Sequence, residues 1–344
     1  MTAATTNTPA ALAGVWLEVP AEDLDRDARS IVEWHELHNA ELPEGAFTAT
    51  PAVPEKNLPA ILRIRADVLL RMIPGYDPFR LAEPFHFDAA EAQNSLDFFP
   101  CVLSHVKGEL AGKPLYLRPW FAAVIANVYG WKKADGTRRY REMFLYVPRK
   151  NAKSTYCGGL VLKMLIADNE PGAEIYSAAG KKEQAQLIFD IVHGMIRSHP
   201  DLAKMCKVYT ASKSVEFAET LSYYKPIPAD ADTEHGGNTH FAVIDELHVQ
   251  RNADLVDVID TSVGTRRQPL IAKITTAAPA GISICNEEHA RAVSIRDGIL
   301  DNPNLLPVVY EAEKDDDWKA ERTWRKANPD RKSTRLNSSH RIRS

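Results

Sequence analysis

The chain has 344 residues, 44% of them apolar and 26% charged, with 42 basic against 46 acidic side chains for a net charge of −4. This suits a soluble globular protein with one large or two modest domains, and it excludes a globally basic nucleic-acid binder, so any DNA contact has to come from local patches. No run approaches about eighteen apolar residues and the N-terminus lacks a basic region followed by an apolar one, which excludes a membrane-spanning helix and a signal peptide at this level.

Residues 1–12, rich in Thr, Ala, Asn and Pro, read as a disordered lead-in. From Trp16 to Arg71, apolar and charged residues alternate in helical fashion, interrupted by Pro-containing loops at Leu42–Gly45 and Pro51–Pro59. Asp88–Val106 predicts a helix with an acidic first turn, and Leu115–Trp131 predicts another. Asp135-Gly136-Thr137 marks a turn, and Arg138, Arg139 and Arg141 beside it read as solvated charges at an exposed hairpin tip.

A β-prone run from Met143 to Val147 then enters the polar turn Pro148-Arg149-Lys150-Asn151-Ala152-Lys153-Ser154-Thr155, followed by an apolar helix from Tyr156 to Leu165. Strand, loop, Lys-Ser and helix are the parts of a phosphate-binding P-loop. A standard loop carries glycines where this chain has Val147 and Ala152, so the stretch alone leaves two readings open, a nucleotide loop or a basic strand-to-helix turn. If the backbone needs a positive φ at Ala152, alanine costs about 1 kcal/mol relative to glycine there.

Beyond it the spacing predicts a strand at Ala173–Ala179, an amphipathic helix at Lys182–Arg197, and short strands at Val208–Phe217 and Leu221–Ile227. A polar loop at Asp230–Asn238 precedes a β run, Thr239–Glu246, that ends in two carboxylates. A helix at Leu255–Val263 and a buried strand at Leu270–Ala278 complete the pattern. Alternating strands and helices predict an α/β fold with a largely parallel sheet. Lys153-Ser154, Asp245-Glu246 and Thr275-Thr276 all fall at C-terminal ends of predicted strands, the edge where such sheets bind ligands.

Four apolar residues followed by Asp-Glu form a Walker B pattern, in which Asp245 holds Mg²⁺ opposite Ser154 and Glu246 deprotonates the attacking water. His235, His240 and His248 fit no standard metal-ligand spacing and read as surface or helix-end residues. Cys101, Cys157, Cys206 and Cys285 are widely spaced without a C-x-x-C, which favours reduced thiols over a disulfide frame or a zinc site.

These motifs together resemble the large terminase subunit of tailed bacteriophages, in the group of HK97-type phages and prophages, over about Phe85 to Pro329. The likeness is carried by Leu115-Tyr116-Leu117-Arg118-Pro119-Trp120, Tyr129-Gly130-Trp131, Asp135–Arg139, the deviant Walker A at Val147–Ser154, the Walker B at Val243–His248 and a coupling motif at Ile274–Ala277. The resemblance implies a RecA-like P-loop ATPase domain at 85–300, a helical N-terminal region at 1–84 and a linker at 301–330 toward a nuclease domain. It implies an ATPase motor in the host cytoplasm that uses ATP and Mg²⁺ to drive double-stranded DNA into a procapsid, as a ring with small-subunit and portal partners. It assigns Arg149 to charge on the γ-phosphate, Pro148 to Thr155 to the nucleotide, Trp120 to the vicinity of adenine, and Thr275 and Thr276 to coupling. Phe121 stands where the family usually has Gln. The basic, Ser-rich tail at 331–344 reads as adapter sequence on a truncated gene or as a basic arm for DNA, and leaves no expectation of nuclease activity. Another P-loop helicase or translocase, and a non-hydrolysing nucleic-acid-binding fragment, are the alternatives.

Overall fold

The computed structural model describes residues 14–180, 182–228, 237–250 and 253–330, which fall into two compact units. The readings of residues 1–12, of His235 and of the tail at 331–344 lie outside them. The first unit holds the described residues through Pro100 together with Tyr116–Arg139, so it extends past the boundary expected at residue 84.

The N-terminal region is less helical than expected. Strands β1 (Gly14–Val19), β2 (Phe47–Thr50) and β3 (Ala60–Arg65) form an antiparallel sheet in the order β1–β3–β2, with helices α1 (Leu24–Leu37) and α2 (Ala66–Leu70) beside them in sequence. The reason is a period of two hidden in the charged surroundings: Val15, Leu17 and Val19 are buried, as are Ala60, Leu62 and Ile64, while the residues between them are not.

Strand β4 (His86–Phe87), helices α3 (Ala89–Val102) and α4 (Pro119–Gly130), and β5 (Trp131–Lys132) follow. Every residue of α4 is buried. Arg138 and Arg139 are not an exposed tip but almost wholly buried. Arg139 donates to the carbonyls of Pro78 (2.8 Å) and Arg80 (3.2 Å), and its guanidinium lies over Phe85 and Trp131. Backbone carbonyls and aromatic faces replace the water this cation would otherwise keep.

The second unit is built on an eight-stranded sheet. Its strands are β6 (Glu142–Tyr146), β7 (Glu174–Ala179), β8 (Cys206–Tyr209), β9 (Ser214–Phe217), β10 (Ser222–Pro228), β11 (Thr239–Asp245), β12 (Leu270–Thr275) and β13 (Leu305–Val309). The order is β13–β6–β12–β11–β7–β10–β9–β8; every pairing from β13 to β10 is parallel, and the last two are antiparallel. Helices α5 (Lys153–Ile166), α6 (Lys182–Ser198), α7 (Pro200–Met205), α8 (Asp254–Ser262), α9 (Ile284–Arg296) and α10 (Glu321–Ala327) connect and flank it. The stretch Val208–Phe217 is a hairpin rather than one strand, and α9 and β13 are elements the sequence pattern did not suggest. Gly158 lets α5 approach α6 closely: a Cβ there would lie 2.6 Å from Ile191 Cγ2.

Inside the apolar strand β12, Lys273 is fully buried, and its Nζ lies within 3.1 Å of carboxylate oxygens of Glu142, Asp260 and Glu288. Burial opposes its charge, but the three carboxylates push its pKa above the usual lysine value. No helix among the described residues is long and apolar enough to cross a membrane.

Candidate nucleotide site

The parallel register brings the ends of the central strands level. Thr275 pairs with Tyr146, Asp245 with Ile274 on one side and Ala179 on the other, and Val309 with Tyr146. The loop after β6, the carboxylates after β11 and the threonines after β12 therefore share one edge, as their strand-end positions predict. The strand between the loop and the carboxylates is β12, so Thr275 and Thr276 stand in the middle; Val147 N–H donates to Thr275 O at 3.1 Å.

The loop is tightly curled, with Lys150 and Ala152 both left-handed at φ of 73° and 53°. Asn151 is buried and clamps the turn through Nδ2 to Pro148 O at 3.0 Å, while its Oδ1 accepts from Asp330 N–H at 3.2 Å. Ala152 is the N-cap of α5 and offers no side-chain cap, which leaves the helix N–H groups to other acceptors. Since Ala152 does require a positive φ, Ala152→Gly is expected to raise stability by up to about 1 kcal/mol, read as a higher unfolding midpoint in urea. An unchanged or lower midpoint would mean that the left-handed alanine is unstrained.

Lys153 is buried, and its Nζ donates to Val147 O (3.3 Å) and Pro148 O (3.2 Å). Burial pulls its pKa down, against the opposing pull of Glu246 and Asp245. Ser154 and Thr155 are half-buried in the first turn of α5, and Arg149 and Lys150 are exposed on the loop.

Asp245 is buried and accepts Glu246 N–H on Oδ1 at 2.9 Å. Burial and the neighbouring Glu246 push its carboxyl up to about 6, although Lys153 pulls it the other way. No group of three His, Cys, Asp or Glu gathers around one point among the described residues, and the Asp245 carboxylate is a hard oxygen donor of the kind Mg²⁺ takes while keeping several waters. Glu246 has a left-handed backbone (φ 55°, ψ 47°) at the start of the turn Leu247–Val249. Non-glycine residues held there cost about 1–3 kcal/mol and cluster at functional sites.

His248 is half-buried in the helical turn Leu247–Val249. Its Nδ1 lies 3.0 Å from Glu246 Oε2, and burial lowers its pKa. His240 is fully buried and not at the surface, with Nε2 2.7 Å from Asp168. Cys285, at the start of α9, lies 3.7 Å from Thr275 Oγ1. The signal for His248 in the sequence was its place directly after Asp-Glu-Leu; Cys285 had none. A cavity of about 700 Å³ opens beside the loop, lined among others by Tyr146, Pro148, Arg149, His248, Thr276 and Tyr310, within the usual range of about 300–1,000 Å³ for ligand pockets. Trp120 belongs to the first unit, where it is buried on α4 with its ring edge-on to Phe121.

Comparison with known proteins points one way. The family model described as "Terminase large subunit, ATPase domain" matches residues 119–293. The large terminase subunit of Enterobacteria phage HK97 is 28% identical over 227 residues, which is 65% of this chain and 43% of that protein. Protein YmfN of Escherichia coli K12 is 33% identical over 94 residues, 27% of this chain and 21% of that one. The crystal structure of the HK97 large terminase superimposes with a TM-score of 0.60 at 26% identity, covering 69% of this chain and 47% of the other. The chain thus spans less than half the length of these relatives.

Proposed function

This chain belongs to the family of terminase large subunit ATPase domains, and from that membership we propose that it hydrolyses ATP to drive double-stranded DNA into a viral procapsid. The observation that carries the proposal is the convergence of Lys153-Ser154, Asp245-Glu246 and Thr275-Thr276 at one edge of a parallel sheet.

In this reading the nucleotide phosphates lie against the loop from Pro148 to Thr155, where the uncapped N–H groups of α5 face them. Lys153 neutralises charge on the β- and γ-phosphates, and Arg149 meets charge on the γ-phosphate. Ser154 and Asp245 hold Mg²⁺, which supplies charge neutralisation at the phosphates. Glu246 accepts a proton from water as the water oxygen bonds to the γ-phosphorus and the bond to the β–γ bridging oxygen breaks. Trp120 contributes to the adenine end. Thr275 and Thr276 pass the change at the phosphates into the strand that carries them. DNA is gripped by its backbone, because packaging must ignore sequence, by a ring of subunits that works with a small terminase subunit and a portal.

The test is release of phosphate from ATP by this chain, with and without Mg²⁺ and with and without long duplex DNA. Mg²⁺-dependent turnover that DNA accelerates supports the motor. Turnover indifferent to duplex DNA would remove the translocation reading, and absence of ATP binding would remove the nucleotide reading.

A further inference from the structure

His248 stands at the junction of the two motifs that this mechanism has to connect. Its Nδ1 lies 3.0 Å from Glu246 Oε2, 3.3 Å from Thr275 Oγ1 and 3.4 Å from Thr276 Oγ1. Its backbone N–H donates to the same Thr275 Oγ1 at 3.1 Å. The direction of each bond follows from its partners. The Glu246 carboxylate faces Nδ1 as an ion-pair partner, which favours a proton on that nitrogen. The Thr275 hydroxyl gives its own proton to Thr276 O at 2.9 Å, which leaves its lone pairs for His248. One imidazole nitrogen therefore bonds two threonine hydroxyls and faces the carboxylate of Glu246.

The surroundings hold this arrangement from both sides. Glu246 is in a left-handed conformation that persists only where neighbouring structure enforces it. The turn after it is closed by Val249 N–H to Glu246 O (2.9 Å) and Gln250 N–H to Leu247 O (3.1 Å), with Leu247 fully buried as its anchor. On the other side, Thr275 O accepts Val147 N–H, so a shift of Thr275 is felt directly at the first residue of the loop.

Resting on the ATPase reading, we propose that His248 is a positioning residue that ties Glu246 to Thr275 and Thr276. It orients the carboxylate that receives the water proton, and it relays a change in that carboxylate's hydrogen bonding to β12. When the Glu246 carboxylate turns away from the ring, Nδ1 is left to the two threonines, and no proton leaves the ring. The coupling threonines thereby read the state of Glu246 through one ring nitrogen.

The test compares four variants by steady-state ATP turnover, affinity for a fluorescent ATP analogue and thermal unfolding. In H248A, kcat is expected to fall about tenfold or more while KM and analogue affinity stay within about twofold. H248N, whose amide nitrogen stands near the position of Nδ1, recovers most of the rate and controls for folding. The double variant H248A/T276A is no slower than the slower single variant, because both break one link. An H248A kcat within about twofold of wild type, an H248N as slow as H248A, or additive losses in the double variant would each overturn the link. E246Q, the fourth, separates the two levels: turnover that persists in E246Q overturns the assignment of Glu246 as the base, and with it this link, whereas a silent E246Q beside an unimpaired H248A overturns only the role of His248. A wild-type chain that hydrolyses no ATP overturns both.

Discussion

Glu246→Gln is expected to lower ATP turnover by about 10²–10⁴-fold, the usual worth of a positioned general base, and to leave nucleotide affinity close to wild type. The substitution preserves shape and removes only the ability to accept a proton. The backbone bond from residue 246 to Asp245 Oδ1 is untouched, and the amide oxygen can still face His248 Nδ1, which lies 3.0 Å from Oε2. The loop from Pro148 to Thr155, which holds the phosphates in this reading, does not include Glu246, so binding survives. The measurement is single-turnover phosphate release beside titration of a fluorescent ATP analogue. A variant that hydrolyses ATP at the wild-type rate would sink the assignment of Glu246 as the base.

Lys153→Ala is expected to weaken both binding and turnover. Truncating one partner of a buried charge pair costs about 2–5 kcal/mol, which for nucleotide affinity is a loss of at least about tenfold. The fold should tolerate the change, because Nζ contacts only the carbonyls of Val147 and Pro148, both at the loop's own edge. The site should not tolerate it. Lys153 is the cation that pulls the Asp245 carboxyl down against burial and Glu246, and without it that carboxyl rises further above about 6. Analogue affinity equal to wild type, with unchanged melting, would return the loop to an ordinary strand-to-helix turn.

Much of the site was legible because its chemistry sits on short local motifs. Lys153-Ser154 and Asp245-Glu246 each follow an apolar strand, and strand ends are readable from period and punctuation. Ala152 even announced its backbone strain, since alanine stands where φ is 53°. The N-terminal region was misread for a physical reason as well. In β1 and β3 the alternation spans only six residues each, and the charged residues interleaved with it mimic a helical face. Arg138 and Arg139 read as solvated charges in the sequence because nothing local reveals the carbonyls of Pro78 and Arg80, some sixty residues away, that take Arg139 inside.

The sequence by itself determined most elements of the second unit and the strand ends at which Lys153-Ser154, Asp245-Glu246 and Thr275-Thr276 stand. It could not determine the neighbours. All the central strands are apolar and bury both faces, so period alone gives no order among them. Only the tertiary structure inserts β12 between β6 and β11, and with it sets Thr275 and Thr276 between the loop and the carboxylates. That insertion places a histidine, read as peripheral, within hydrogen-bond reach of all three residues. Backbone pairing is blind to side-chain identity, so the register that brings these groups together is a property of the packed sheet and of no single segment of the chain.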